Sequence, residues 1–209
     1  MADLSIETAV LLQHGPLHIA GIDEAGRGAL AGPVVAAAVI LPLDNPNALA
    51  QLVEVNDSKQ LTPQSRERLF SRITHHASSY AIALESAEII DEIGILPATK
   101  RAMVTAVTQL PLPAQHLLID GNIRLPTVNL PQQAIIRGDT LSLSIAAAAI
   151  LAKVTRDRLM VELDAAYPAY GFARHKGYGT AVHLHALAQH GPCPHHRYTF
   201  APIRPTLIP

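Results

Sequence analysis

The sequence predicts a single α/β domain with a mixed central β-sheet flanked by helices and a helical part at its C-terminal end. Its 209 residues suit one domain. Hydrophobic residues make up 49% of the chain and aromatic residues only 4%, so a sizeable aliphatic core is expected. Strand-like segments come first and then mix with helical ones, which is typical of this class. We expect an α/β core over residues 15–165 and a helical, basic C-terminal segment over residues 166–209.

Five segments have the composition of β-strands. The clearest is GPVVAAAVIL at residues 32–41, where Gly32 and Pro33 argue against a helix and Pro42 ends the run. Such a continuous apolar run indicates a strand that is buried on both faces. The other predicted strands are residues 18–23, 79–86, 116–121 and 133–139.

Four segments have helical periodicity and recognisable ends. In residues 61–77, Thr62 is a good N-cap, Pro63 suits the first turn, and Leu69 and Ile73 lie at helical spacing. The others are residues 98–110, closed by Pro111; residues 142–167, closed by Pro168; and residues 180–191, with Thr180 as N-cap and Gly191 after its end.

Charge is distributed unevenly along the chain. The formal net charge is −1, but residues 151–209 carry seven Lys and Arg against three Asp and Glu, and six of the eleven histidines. A locally basic segment suits a phosphate backbone, although an ordinary solvated surface explains the charge equally well.

Cysteine content and hydropathy predict a cytoplasmic protein without a membrane segment. The single cysteine, Cys193, leaves no disulfide within the chain. The N-terminal residues lack the features of a signal peptide. The longest apolar stretch, residues 29–43, is interrupted by glycine and proline and is too short to span a bilayer. We expect a monomer.

Three places in the sequence join an apolar strand-like run to an acid, with glycine nearby. Together they supply four carboxylates, those of Asp23, Glu24, Asp120 and Asp139. Strand ends are where α/β folds place functional groups, so neighbouring strands would bring these acids together. Converging carboxylates need a compensating charge, and Mg²⁺ or Mn²⁺ is the natural one. The alternative is that each acid is a solvated loop residue.

The acids Asp23 and Glu24 pose a geometric problem, because adjacent residues of a strand point to opposite faces. They can join one cluster if the strand bends or ends between them, and Gly26 makes that plausible. The following glycines would let a phosphodiester approach the backbone closely. A dinucleotide-binding loop is disfavoured because Pro33 and a strand follow, and a phosphate-binding loop lacks its Gly-Lys-Ser/Thr.

Two histidine-containing stretches lie near the C-terminal end. HKGYGT at residues 175–180 is basic and precedes a helix N-terminus, and Tyr178 is placed to stack on a sugar or base, or else to pack in a helix-entry turn. CPHHR at residues 193–197 resembles a zinc site only superficially. It lacks a second ligand pair at the required spacing, so zinc is disfavoured.

Taken in order, the motifs resemble those of the bacterial ribonuclease HII family. They are GIDEAGRGALAGPVVAAAVIL, NDSKQL, LLIDG, IIRGD, SIAAAAILAKVTRDRLM, YPAYGFARHKGYGTAVH and HRYTFAPI. The resemblance implies an RNase H-like fold. It implies a metal-dependent endoribonuclease, using two Mg²⁺ or Mn²⁺ ions, that cuts the RNA strand of RNA–DNA hybrids. It also implies nicking of DNA duplexes 5′ to embedded ribonucleotides, in ribonucleotide excision and RNA primer removal.

The resemblance also assigns residues. The four acids would be the catalytic metal ligands, Gly26, Arg27 and Gly28 would read the ribose 2′-OH and adjoining phosphate, and Tyr178 would sense the ribonucleotide–deoxyribonucleotide junction. We predict further substrate contacts from basic residues close to these motifs, namely Lys153, Arg156, His175 and Lys176. The sequence departs from the usual family pattern at Ala29, Ile89, Gly94 and Ala149.

The expected partners are RNA–DNA hybrids and ribonucleotide-containing DNA duplexes, and no clamp-binding motif is recognisable. Three other functions compete with this interpretation. A dinucleotide-dependent oxidoreductase is disfavoured by the strand that follows the glycines. A non-catalytic nucleic-acid-binding domain would gain nothing from four acids beside a phosphate. A different nuclease of the same fold, such as a DNA resolvase, would not need a loop and tyrosine that read a ribose hydroxyl.

Overall fold

The computed structural model describes residues 2–203, within which five strands form one mixed sheet. The sheet order is β3-β2-β1-β4-β5, with β1 antiparallel to β2, β2 antiparallel to β3, and β4 parallel to both β1 and β5. The predicted mixed sheet is therefore confirmed. The strands are β1 Ile19–Ala25, β2 Val34–Ile40, β3 Ser79–Glu85, β4 His116–Asp120 and β5 Gln132–Ile135.

Helices cover both faces of this sheet. The long helix predicted over residues 142–167 packs along β1 and β2, and the helix predicted over residues 98–110 packs on the other face. The helices are α1 Ser5–His14, α2 Pro46–Ala50, α3 Pro63–His76, α4 Ala87–Ile93, α5 Ile95–Thr108, α6 Gly138–Leu141, α7 Leu143–Ala166, α8 Phe172–His175 and α9 Ala181–His190, with a 3₁₀ turn at Pro168–Tyr170.

Small residues let α7 approach the centre of the sheet. All seven residues of β2 are buried, which explains its continuous apolar run. Residues 146–149 of α7, four alanines, are buried too. A Cβ atom added to Gly21 of β1 would lie 2.1 Å from the carbonyl carbon of Ser144. The position therefore requires glycine, since only hydrogen fits between the strand and the helix backbone.

The strand predicted over residues 133–139 ends earlier than expected. β5 stops at Ile135, Arg137 takes a left-handed conformation with φ 58°, and Gly138 begins α6. Asp139 therefore lies in the first turn of a short helix and not at a strand end. Gly138 is closely packed in this turn, since a Cβ atom there would lie 2.6 Å from Cδ1 of Ile145.

The sequence did not predict α1, whose buried residues are Glu7 and Val10. A buried polar contact fastens it to α7. One carboxylate oxygen of Glu7 accepts hydrogen bonds from the hydroxyls of Ser142 and Ser144, each at 2.6 Å. A glutamate used in this way gives no amphipathic signal, which is why periodicity missed the helix.

The C-terminal part of the described chain has a small hydrophobic cluster of its own. Tyr170, Phe172 and Cys193 pack there with Ala31, which precedes β2, and Met160 of α7. Arg204, one of the seven basic residues counted in residues 151–209, lies outside the described residues. Among residues 2–203, no helix combines the length and apolar character needed to cross a bilayer.

Candidate active site

The central strand β1 carries the first two acids. Asp23 is buried, with 6% of its surface exposed, and Glu24 follows it directly. β1 continues to Ala25, so the strand does not end between the two acids, which was one of the two arrangements that the sequence analysis allowed. Instead, the Asp23 side chain turns along the backbone and its Oδ1 accepts the Glu24 amide N–H at 2.7 Å. Asp23 thereby points its charge towards its neighbour without a break in the strand.

The parallel strand β4 and the helix α6 bring the other two acids to the same region. Asp120 ends β4, one residue beyond the Ile22–Ile119 pair that aligns β4 with β1. The Asp139 amide N–H donates to Oδ1 of Asp120 at 3.3 Å. Asp139 itself is buried, with 4% of its surface exposed. The structure thus places all four predicted acids at one edge of the sheet.

The four acids interact electrostatically. Burial raises the pKa of Asp23 well above its ordinary value, and the charges of Glu24 and Asp120 raise it further. Burial also raises the pKa of Asp120, with Asp139 adding to the effect. For Glu24, burial raises the pKa, while the hydrogen bond from Arg27 opposes it. A cluster in which several carboxylates repel one another lacks positive charge.

Lys59 supplies part of that charge and was not predicted. Its Nζ lies 2.8 Å from Oδ2 of Asp139, and this hydrogen bond raises the pKa of Lys59. The side chain is largely exposed, so the ammonium reaches into the site from a surface loop. The two residues are 80 positions apart in sequence, which is why local patterns gave no signal for the contact.

The donor set fits a hard divalent cation. Oxygen ligands from several carboxylates are what Mg²⁺ and Mn²⁺ prefer. Oε2 of Glu24 is buried and accepts no hydrogen bond from any residue that the structure describes. Within residues 2–203, however, no three acidic, histidine or cysteine side chains are already gathered around one point as the ligands of one ion. The carboxylates would therefore adjust their rotamers on binding metal.

The glycine-flanked arginine lies directly beside these acids. Nη1 of Arg27 is 3.1 Å from Oε1 of Glu24, and the arginine side chain is about half exposed (46%). Gly26 has φ +95° and a Cβ there would lie 1.9 Å from Nε of Arg156, so glycine is required. A Cβ on Gly28, in contrast, would meet nothing within 4 Å. The backbone at Gly28 therefore faces open space next to the carboxylates.

Two of the predicted substrate contacts lie inside the protein. Arg156 has no exposed surface and donates to three backbone carbonyls, those of Ala31, Pro33 and Lys176, at 2.9–3.0 Å. His175 is 8% exposed and bonds to backbone atoms. The prediction that both contact substrate is corrected accordingly, because the positive charge and the closeness to the motifs that suggested contact do not reveal burial. Both residues organise the backbone under the site.

Tyr178 and the two remaining basic residues reach the surface. Tyr178 is 37% exposed, with the Arg156 guanidinium 5.4 Å from its ring centroid and Lys153 Nζ 6.0 Å away. Lys153 pairs with Asp157 at 2.7 Å, and Lys176 Nζ contacts the carbonyl of Ala173. A groove of about 760 Å³ runs beside Tyr178. Five Lys and Arg residues line it, Arg66, Lys153, Arg158, Arg174 and Lys176, together with the acids Glu67, Asp157 and Glu162.

A second buried arginine, Arg197, was not predicted. Its Nε and Nη2 donate to the carbonyl of Gly32, and its Nη1 donates to the carbonyl of Arg27 at 2.9 Å. Burial lowers the pKa of Arg197 to about 9. The residue lies in the quoted motif HRYTFAPI, but the motif alone did not say which atoms it binds. Arg197 fastens the glycine loop to the C-terminal part of the chain.

Comparisons with known proteins identify the family of the chain. The family model for ribonuclease HII matches residues 20–203. The chain belongs to the ribonuclease HII family. It is therefore a ribonuclease H, a nuclease that hydrolyses phosphodiester bonds, and the sequence resemblance is confirmed.

Two relatives show how far the likeness extends. Ribonuclease HII of Chloroflexus aurantiacus is 54% identical over 211 residues, covering 100% of this chain and 97% of the relative. Ribonuclease HII of Geobacter metallireducens is 53% identical over 191 residues, covering 91% of this chain and 87% of the relative.

Solved structures of ribonucleases H have the same fold. The ribonuclease H2 of Pyrococcus horikoshii superposes with a TM-score of 0.77 at 28% identity, covering 90% of this chain and 96% of that one. Ribonuclease HII of Archaeoglobus fulgidus, solved in complex with PCNA, gives 0.74 at 26% identity, covering 88% and 95%. The predicted RNase H-like fold is confirmed.

Proposed function

We propose that this member of the ribonuclease HII family hydrolyses the RNA strand of RNA–DNA hybrids and nicks DNA duplexes on the 5′ side of an embedded ribonucleotide. The products would carry 5′-phosphate and 3′-hydroxyl ends. One observation carries the proposal: four acids, Asp23, Glu24, Asp120 and Asp139, lie beside a glycine loop whose backbone opens to solvent at Gly28.

The acids would bind the metal. Asp23, Glu24, Asp120 and Asp139 would hold two Mg²⁺ or Mn²⁺ ions, which supply an activated water and stabilise the charge that develops on the phosphate. Oε2 of Glu24 is free to be a ligand. Burial, with repulsion between the acids adding to it, raises the pKa values of Asp23, Glu24 and Asp120, and a bound cation would offset both effects. Lys59 would leave Asp139 when metal binds and would then be free to meet the substrate phosphate.

The loop would select the substrate. A strand lying over Gly28 can bring its 2′-hydroxyl within hydrogen-bond reach of backbone groups, because no side chain stands in the way. Arg27, about half exposed and anchored to Glu24, would contact the adjoining phosphate. The 2′-hydroxyl serves recognition here and is not the nucleophile.

Tyr178 would contact the next sugar of the strand. Its ring is partly exposed and lies on the buried guanidinium of Arg156, which limits its motion. Lys153 and Lys176 flank it and would face phosphates along the groove. In the cell such an enzyme would act in ribonucleotide excision and RNA primer removal. The PCNA complex is a property of the Archaeoglobus protein, and our prediction of no clamp partner for this chain rests on sequence alone.

A cleavage assay tests the proposed function. The substrates are a labelled DNA duplex with one ribonucleotide, a long RNA–DNA hybrid and an all-DNA duplex, each with Mg²⁺, Mn²⁺ or EDTA. We expect a metal-dependent nick 5′ to the ribonucleotide, cleavage of the hybrid, and no cut in the all-DNA control. Binding without cleavage in every metal would instead favour a non-catalytic binding domain, and cleavage of the all-DNA duplex would favour another nuclease.

A further inference from the structure

Three buried imidazoles lie beneath Tyr178 and have no part in the proposed chemistry. They belong to His175 of α8, His183 of α9 and His196, and at most 8% of any of them is exposed. His175 and His183 are stacked, with ring centroids 4.4 Å apart. Phe172 packs on the edges of the same rings.

The hydrogen bonds of His183 and His196, here called the histidine pair, fix which nitrogen carries each proton. The amide N–H of Cys193 can only donate, and it lies 2.9 Å from Nδ1 of His196. Nδ1 therefore accepts, and the proton of the neutral ring sits on Nε2. The Cys193 carbonyl, 3.3 Å from the same Nδ1, is the weaker contact and already accepts from the His196 amide at 2.9 Å.

The same reasoning identifies the protonated nitrogen of His183. Its Nε2 lies 3.0 Å from Nε2 of His196, so it accepts the proton donated there. Its own proton must then be on Nδ1, which lies 3.0 Å from the backbone carbonyl of Tyr178. A carbonyl can only accept, so the partners at both ends of the histidine pair require the hydrogen bonds to donate in the same direction. Three hydrogen bonds thus run in one direction, from the Cys193 amide to the Tyr178 carbonyl.

His175 fixes the residue before Tyr178 in a similar way. Its Nε2 lies 2.7 Å from the carbonyl of Tyr170, and its Nδ1 accepts the amide N–H of Gly177 at 3.2 Å. Gly177 has φ +78°, and a Cβ there would lie 2.5 Å from the carbonyl oxygen of Ala31. His175 therefore holds the amide of Gly177 and His183 holds the carbonyl of Tyr178, so the turn is fixed on both sides of Tyr178.

The arrangement requires neutral rings. Burial lowers the pKa of His183 and lowers that of His196 to about 4. The titratable groups that face His196 are His183, His175 and His195, which disfavour its protonation, and Cys193 and Tyr170, whose pKa values burial raises. No carboxylate within the described residues forms an ion pair with these rings.

We propose that His183 and His196 are positioning residues: through their one-directional hydrogen bonds they orient the Tyr178 carbonyl, and with it the ring that contacts the sugar next to a ribonucleotide. The inference rests on the proposed role of Tyr178 and names residues that act through it. Hydrogen bonding in a buried site is strongly directional, so a reversed tautomer would turn a lone pair towards the Tyr178 carbonyl and displace the turn.

The first test is ¹⁵N NMR of the imidazole nitrogens in the intact wild-type protein near neutral pH. The proposal requires the Nδ1–H tautomer for His183 and the Nε2–H tautomer for His196. His185, exposed on the same helix, is the internal control for the assignment of the ring nitrogens. The opposite tautomer at either ring, or a doubly protonated ring, would overturn the proposal without any reference to activity.

The second test compares two variants of His196. In His196→Gln, the side-chain oxygen can still accept from the Cys193 amide and the NH₂ group can still donate to His183. In His196→Phe, neither bond can form. We expect His196→Phe to lower kcat/KM about tenfold more on the single-ribonucleotide duplex than on a long hybrid, as a displacement of about 1 Å at a reacting strand can do. His196→Gln should recover most of that selective loss, and His185→Asn should have no effect.

Tyr178→Ala, measured on the same two substrates, separates failure of this inference from failure of the proposed function. If Tyr178→Ala shows the selective loss but His196→Phe, folded by circular dichroism, does not, the positioning role is wrong and the proposed function stands. If Tyr178→Ala lowers kcat/KM equally on both substrates, the proposed role of Tyr178 is wrong and the inference fails with it. If His196→Phe does not fold, the tautomers measured by NMR and the cleavage activity of His196→Gln still test the positioning role.

Discussion

At the scale of single residues, the main feature is a set of carboxylates in an unfavourable electrostatic environment. Burial raises the pKa of Asp23 and of Asp120; the charges of Glu24 and Asp120 add to the first shift, and the charge of Asp139 adds to the second. Among residues 2–203, Arg27 and Lys59 form the ion pairs with these acids. Such strain is common at sites where a cation or a substrate later supplies the missing interaction. The cost of keeping these charges together should therefore be measurable in the metal-free protein.

Asp23→Asn is expected to abolish cleavage and to stabilise the metal-free protein. Asparagine keeps the acceptor for the Glu24 amide but removes a buried charge. In the wild type the folded-state pKa of Asp23 lies above the unfolded value of 3.8, so stability is lost as pH rises through that folded pKa. At pH 7 in EDTA the variant should melt higher, by about 2–4 °C for each kcal/mol gained.

Thermal melts in EDTA and in Mg²⁺ check this, with the exposed Asp44→Asn as control. A variant less stable than wild type in EDTA would show that the Asp23 charge is compensated within the protein. A variant with near wild-type turnover would remove Asp23 from the metal site.

The substitution Gly28→Ala separates an effect on substrate recognition from an effect on folding stability. The added methyl group meets no atom within 4 Å, so the free energy of unfolding should change by less than about 0.5 kcal/mol. If the substrate strand lies against this backbone, the methyl group should nevertheless lower kcat/KM by about tenfold or more. Urea unfolding and the cleavage assay measure the two quantities, and unchanged cleavage would place the strand elsewhere.

Sequence reasoning identified the chemistry of this site better than its contacts. The four acids stand out because each follows an apolar run, and the structure brings all four to one edge of the sheet. The contact between Lys59 and Asp139 joins residues 80 positions apart, so no local pattern reveals it. Arg156 shows the opposite failure, since its charge suggested the surface and its three carbonyl partners place it in the interior.

At the scale of elements, the position of the site depends on how closely α7 approaches β1. Gly21 lies where the strand and the helix backbone almost touch, and the buried alanines of α7 continue the contact. Because Asp23 is two residues further along the same strand, it points to the same face as Gly21. Packing between β1 and α7 therefore determines how deeply Asp23 is buried.

Gly21→Ala should destabilise the protein by about 1–3 kcal/mol or more, because the new Cβ would lie 2.1 Å from backbone that cannot move aside. Urea unfolding measures this effect, with Gly28→Ala as the glycine-to-alanine control. An unfolding free energy within about 0.5 kcal/mol of wild type would show that α7 shifts easily and that the close approach is not required.

Elements with strong local signals were predicted well. The buried strand β2, and the helices α3 and α9 with their threonine caps at Thr62 and Thr180, lie where the sequence indicated. The error at Asp139 arose because β5 ends at Ile135 and Arg137 turns the chain into α6, a change of backbone that the preceding apolar residues do not encode. The four-residue α6 and α8 have no periodicity to detect.

At the scale of the whole molecule, the C-terminal part is joined to the sheet mainly through backbone carbonyls. Arg156 and Arg197 bind the carbonyls of residues 27–33, and the Leu30 amide donates to the carbonyl of Gly177 at 2.8 Å. This arrangement links the loop beside the carboxylates to the turn of Tyr178. No local sequence pattern predicted it, because any residue offers a backbone carbonyl.

Acid should loosen the C-terminal part before it loosens the sheet. His196 has a folded-state pKa of about 4 against an ordinary 6.5, so its contribution to stability is present above 6.5 and is lost as pH falls towards 4. The full difference is worth about 3 kcal/mol. The buried acids of β1 act in the opposite direction, since protonation relieves their repulsion. Hydrogen exchange at pH 7 and pH 5 should show protection lost first in residues 175–198, and earlier loss in β1 would contradict this.

The most direct test of the whole account is a crystal structure of Asp139→Asn with Mg²⁺ and a DNA duplex containing one ribonucleotide. We expect metal bound by Asp23, Glu24 and Asp120, the ribose 2′-hydroxyl against the backbone of residues 26–28, and the ring of Tyr178 on the neighbouring deoxyribose. A duplex whose ribonucleotide lies away from this loop, or metal bound without these carboxylates, would contradict the assignment of the site.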